Sequence, residues 1–192
     1  MNDKKLYLYQ EITKERQNNK DDEIDVFSFA SQHQIKILIE EDSTYFIGKE
    51  DLYFVIYHDK KSCIVLSNHL SYQTKLEWIS YLILEILIIK KYGLQEGVEE
   101  LKNGILMKRY EIHKLNKNDP YFDVLCELLV PSSKLMLPIY QSINHKKISQ
   151  ISNHFSVREE IIQYKIEQFY SKTKYLVDGI STKKNHFIQL RY

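Results

Sequence analysis

The run Trp78-Ile79-Ser80-Tyr81-Leu82-Ile83-Leu84-Glu85-Ile86-Leu87-Ile88-Ile89 decides how this chain folds, because it is apolar on every face of a helix. A helix that is hydrophobic all round has to be enclosed by other elements, so this one forms the centre of a core. Its twelve residues fall short of the roughly 20 that cross a bilayer. Ser71 stands where an N-cap belongs, Lys90 and Lys91 suit the negative C-terminal end, and Gly93 supplies the stop. Glu85 is the one charge inside the run. A bare buried carboxylate is costly, so Glu85 is either paired, hydrogen-bonded or protonated, or it sits where the helix reaches solvent.

Before this helix, β-branched and aromatic residues cluster in strand-like runs at 35–39, 44–47, 52–57 and 63–66, and helical spacing marks 5–16 and 24–33. After it, 94–103 reads as short helix or irregular chain. Residues 119–130 read as a helix with Asp119 near its start and Pro131 ending it. A helix–turn–helix-like hairpin is expected at 148–155 and 157–170, with Ile148, Ile151, Phe155, Val157, Ile161, Ile162 and Ile166 as its core, and 175–192 as a hairpin or loose extension. The class is α+β: a small, mostly antiparallel sheet packed on the long helix, followed by a helical half. Three segments are expected, an N-terminal helical extension (1–20), a main domain (21–170) and a C-terminal tail (171–192).

The 192 residues carry 27 Lys+Arg against 26 Asp+Glu, a net charge of +1, which argues against a protein whose task is gripping a nucleic-acid backbone. Ala30 is the single alanine and only four arginines occur, beside 15 tyrosines, the composition of an AT-rich genome. No signal peptide is visible at the start, and Cys63 and Cys126, far apart and without CxxC spacing, read as small buried hydrophobes. A cytoplasmic protein is expected. Phosphate-cradling glycine motifs and GxSxG are absent from the sequence, and its seven histidines show no i, i+4 or HxH pair. No cofactor is expected.

Three blocks resemble the ImmA/IrrE-type metallopeptidases of bacteria and mobile elements. They are Ile64-Val65-Leu66-Ser67-Asn68-His69-Leu70-Ser71, Val124-Leu125-Cys126-Glu127-Leu128-Leu129-Val130-Pro131, and Ile151-Ser152-Asn153-His154-Phe155-Ser156-Val157-Arg158. The resemblance spans roughly 25–169 and implies a zincin-like fold. In that family the long helix carries H-E-x-x-H, two histidines binding zinc and a glutamate activating water. Here the motif falls on Tyr81-Leu82-Ile83-Leu84-Glu85, and the third, acidic ligand falls near Asn118 or Asp119. Leu82 cannot take a proton. The resemblance therefore implies a retained scaffold with a lost catalytic constellation, and Tyr81, Leu82, Glu85 and Asp119 as the remnant of its site.

Family members cleave helix–turn–helix repressors. A degenerate member would bind such a repressor and act stoichiometrically, as an antirepressor or in lysis–lysogeny control, with His154, Arg158, Glu159 and Gln163 as candidate partner-binding residues. The alternative is a peptidase with substituted ligands, Glu85, Asp119 and a histidine from a loop. A weaker alternative is direct DNA binding through the helix pair, flanked by Lys146, Lys147, Lys165, Lys172 and Lys174; the acids in Arg158-Glu159-Glu160, at the start of its second helix, oppose it.

Overall fold

A computed structural model describes residues 2–18, 22–40, 51–135 and 145–182. In chain order its elements are helices α1 (Asp3–Asn18) and α2 (Val26–Gln32), then strands β1 (Ile35–Glu40), β2 (Asp51–Ile56) and β3 (Ser62–Ser67). Helix α3 (Tyr72–Tyr92), strands β4 (Glu99–Glu100) and β5 (Leu106–Glu111), and helices α4 (Phe122–Leu129), α5 (His145–Phe155) and α6 (Glu159–Thr182) follow.

Helix α3 begins where its sequence says. Ser71 is extended, and its Oγ accepts from the Thr74 N–H at 3.2 Å. Gly93 closes the other end with φ +82°, a left-handed conformation that glycine adopts without a Cβ penalty. Every residue from Leu76 to Ile89 is buried. Ser80 tolerates this because its Oγ donates to the Leu76 carbonyl one turn back at 2.7 Å. The sheet covers one side of α3, and α1, α2 and α4 cover the others.

The sheet has the order β1-β3-β2-β5-β4. Pairs β3–β2, β2–β5 and β5–β4 are antiparallel, as a mostly antiparallel sheet requires, whereas β1–β3 is parallel, so the sheet is mixed. Leu52, Phe54, Ile56, Ile64 and Leu66 lie below 5% exposure on the face toward α3. The expected strand at 44–47 lies outside the described residues. Strand β5 was not expected, because Leu106-Met107-Lys108-Arg109-Tyr110-Glu111 shows no clean alternation. Residues 94–103 are irregular, apart from β4 and a short turn of 3₁₀ helix at Lys102–Gly104.

Helix α1 joins the same core. Leu8 and Ile12 are buried beside α3 and α4, and Lys5 reaches Asp123 at 2.8 Å. The tail reading needs correction. Helix α6 continues to Thr182, so 175–182 is neither hairpin nor loose extension, while 183–192 lies outside the described residues. Once a helix is nucleated each added residue brings a hydrogen bond, and no proline interrupts this stretch. Both cysteines are free and buried, as small hydrophobes.

Candidate functional site

Helix spacing puts Glu77, Tyr81 and Glu85 on one face of α3, at i, i+4 and i+8. All three are buried. Around them stand Trp78 of the same helix, Lys108 and Tyr110 of β5, and His113, Asp119 and Tyr121 of the chain leading into α4. Ring centroids lie 5.7 Å apart for Trp78–Tyr81, 5.6 Å for Trp78–Tyr110, 5.2 Å for Trp78–His113 and 6.4 Å for Tyr81–Tyr121. The result is an aromatic cluster with a carboxylate inside it.

Glu85 is 9% exposed, so the solvent-reaching alternative is excluded. Its Oε1 accepts from Lys108 Nζ at 3.0 Å, while Oε2 has no hydrogen-bond partner. Burial raises the Glu85 pKa, and Lys108 opposes that shift without cancelling it. Lys108 also lies over the Tyr110 ring, 4.9 Å from its centroid. Burial pushes the Tyr81 phenol up, with the charges of Glu85 and Asp119 and the neighbouring Tyr121 adding to it. Tyr81, Glu85 and Asp119 thus share an electrostatic neighbourhood. Leu82 is wholly buried.

Asp119 is held elsewhere in that neighbourhood. Its Oδ1 lies 2.9 Å from His113 Nε2, and its Oδ2 accepts from the Asn116 N–H at 2.7 Å. The structure therefore pairs Asp119 with a histidine six residues away, His113, that the sequence pattern does not single out. Among the described residues, no three His, Cys, Asp or Glu side chains converge in a way that could hold a metal ion.

No family model matches the chain, and neither the curated proteins nor the solved structures include a match. The residues themselves carry the functional reading.

The partner-binding candidates divide. Arg158 is not a surface contact: its Nε donates to Glu77 Oε1 and Oε2 at 2.9 and 2.8 Å, and its Nη2 donates to the Leu115 carbonyl at 3.0 Å. Glu77, 3% exposed, needs that cation, so Arg158 ties the start of α6 to α3. Glu159 is exposed and Gln163 half-buried. His154 is exposed, 3.4 Å from Glu23, and stacks edge-on with Phe155 at 4.8 Å. Two adjoining grooves, of about 210 and 530 Å³, share Glu23, His154 and Phe155. Phe27 and Tyr72 line the smaller one and are 42% and 62% exposed.

The helix pair turns at Ser156, φ +54°, where Val157 N–H donates to the Ser152 carbonyl at 3.0 Å and Ser152 Oγ donates to the Val157 carbonyl. Val157, Ile161 and Ile162 are buried in the main core. Lys165, one of the lysines expected to flank the helix pair with positive charge, is 8% exposed and donates to Glu127 and to the Val130 carbonyl. Glu160 pairs with Lys114. Lys165 thus faces inward, and the start of α6 keeps acids, an arrangement that disfavours phosphate contact there.

Glu127, the acid of the second block, is a knot between three helices. It accepts from Arg16 of α1, from Lys165 of α6, and from the N–H and Oγ of Ser132 at 3.2 and 2.6 Å, while its carbonyl accepts from Arg16. Burial alone would raise its pKa, but Lys165, Ser132 and Arg16 outweigh burial and hold it at about 2. Burial also draws the Lys165 amine below its ordinary value.

Proposed function

We propose that this chain is a catalytically degenerate relative of the ImmA/IrrE-type peptidases. It binds a protein partner, a helix–turn–helix repressor of a phage or mobile element, and regulates gene expression without proteolysis, in the cytoplasm. The observation that carries the reading is the Glu85–Lys108 pair. At the position of the second motif histidine stands a carboxylate occupied by an internal lysine, and at the position of the general base stands a fully buried leucine. The leucine cannot take a proton from water, and the carboxylate is not the imidazole with which the motif holds zinc. The alternative with substituted ligands would need Glu85, Asp119 and a histidine at one point. Glu85 sits on Lys108 and Asp119 on His113.

The surface that supports partner binding is the double groove at His154 and Phe155, with Phe27 and Tyr72 exposed beside it. Aromatic side chains in a concave site are the usual anchors of protein interfaces. Among the described residues no helix is long and apolar enough to cross a membrane. The test combines purified protein, the repressor recovered with it from the native host, and a reporter of the repressed promoter. Binding, weakened by His154→Ala and Tyr72→Ala and leaving the repressor intact, supports the reading. Repression unchanged by deletion of the gene, with no repressor bound, sinks it. Metal-dependent cleavage of the repressor would establish the peptidase alternative instead.

A further inference from the structure

The two edges of the sheet are built differently. Strand β4 is two exposed acids, Glu99 and Glu100, a short charged edge of the kind that discourages an incoming strand. Strand β1, at the other edge, is Ile35-Lys36-Ile37-Leu38-Ile39-Glu40, and Ile39 is 46% exposed. The carbonyls of Gln34 and Glu40 accept from Ser62 and Asn68 at 3.0 and 2.9 Å, so the even-numbered residues turn their backbone groups toward β3. The alternation of a parallel ladder then points the N–H and C=O groups of Ile35, Ile37 and Ile39 away from the sheet. Among the described residues no strand receives them. A row of this kind is a template for strand addition.

We infer that this edge pairs with β1 of a second copy of the chain, antiparallel about a two-fold axis at Leu38. The sequence of the strand selects that register. Ile37 of one copy faces Ile39 of the other, both with outward-pointing backbone groups, as a hydrogen-bonded antiparallel pair requires. Lys36 of each copy faces Glu40 of the other, so the strand's two charges meet opposite charges on both sides of a central Leu38 contact. A shift of two residues sets Lys36 or Glu40 against Leu38. A shift of one sets outward groups against inward ones. The same surface is used by both copies, as a two-fold interface demands. Lys36 and Leu38 line an open groove of about 610 Å³ with Tyr57 and Cys63, so the face on which the Leu38 side chains meet has room for them.

Sedimentation equilibrium of the full chain over a wide concentration range tests this. A reversible monomer–dimer equilibrium is expected. Ile39→Lys places a charge on an exposed edge position and should raise the dimer dissociation constant on the order of tenfold or more, with the circular dichroism spectrum unchanged. Ile37→Pro deletes one outward N–H without removing a β1–β3 bond and should act in the same direction. Lys36→Glu should weaken the dimer, and adding Glu40→Lys should restore it. A chain that stays monomeric throughout would mean that the edge has another occupant, the chain's own residues 41–50 or a different protein, and overturns the inference. A dimer indifferent to both Ile39→Lys and Ile37→Pro, or a double swap that fails to recover pairing, overturns it as well.

Discussion

Glu85 and Glu127 are largely buried carboxylates on neighbouring helices, their side chains 11% and 18% exposed, and they are held in opposite ways. Glu127 has two cations and a serine around it, and its pKa falls to about 2. Glu85 has a single lysine and one orphaned oxygen, and its pKa rises. Burial penalises both. What separates them is how many donors the fold brings to the charge, and this decides whether a buried acid fastens the structure or strains it. The fastening acid joins α1, α4 and α6. The strained one lies in the aromatic cluster of Trp78, Tyr81 and Tyr110.

The largest expected effect breaks the knot. Glu127→Gln leaves Lys165 and Arg16 without their carboxylate and should cost about 3–5 kcal/mol in urea unfolding at neutral pH. That difference should depend on acid. Because the folded-state pKa of Glu127 is depressed, its contribution is present above the ordinary carboxylate value and disappears as pH falls toward about 2. Unfolding curves for wild type and variant should therefore converge across that window; a constant gap would show that the charge is not what Glu127 supplies.

A smaller effect is expected from Lys108→Met. It removes the cation that Glu85 pairs with, and Glu85 should then take up a proton, at a cost of about 1–3 kcal/mol. A titration by carboxyl infrared absorbance should find the Glu85 band titrating at higher pH in this variant than in wild type. The smallest effect belongs to Glu85→Gln, within about 1 kcal/mol at neutral pH. The Glu85 pKa is raised in the fold, so any stability it lends is present below the ordinary carboxylate value and lost as pH rises through the folded value. The variant should gain on wild type as pH increases. If instead Glu85→Gln proves as damaging as Glu127→Gln, the two sites are alike and the contrast fails.

Some of this was legible residue by residue. Ser71 and Gly93 act through the few residues beside them, and the structure places both ends of α3 there. Glu85 stood out because one acid in an apolar run needs an explanation. Its partner did not, since Lys108 lies on a strand whose sequence lacks alternation and meets Glu85 only through the sheet. Arg158 misled for a related reason. At the start of a helix beside two glutamates it looks like surface, and only the packing of α6 against α3 delivers it to Glu77, 81 residues away in the chain. The His113–Asp119 pair is not legible in sequence because a histidine and an acid six residues apart in irregular chain form no recognisable ligand spacing, and only the path of the loop brings them together.

The sequence by itself determined that α3 is a central helix, where it starts and stops, and that it carries no zinc-binding histidine pair, because propensity, capping and burial pattern act within a few turns. Tertiary structure alone decided which acids became fastened, which cations turned inward, and which strand of the described residues stands at each edge of the sheet. Those outcomes depend on contacts between residues tens of positions apart, and no local pattern encodes the distance at which a charge finds its partner.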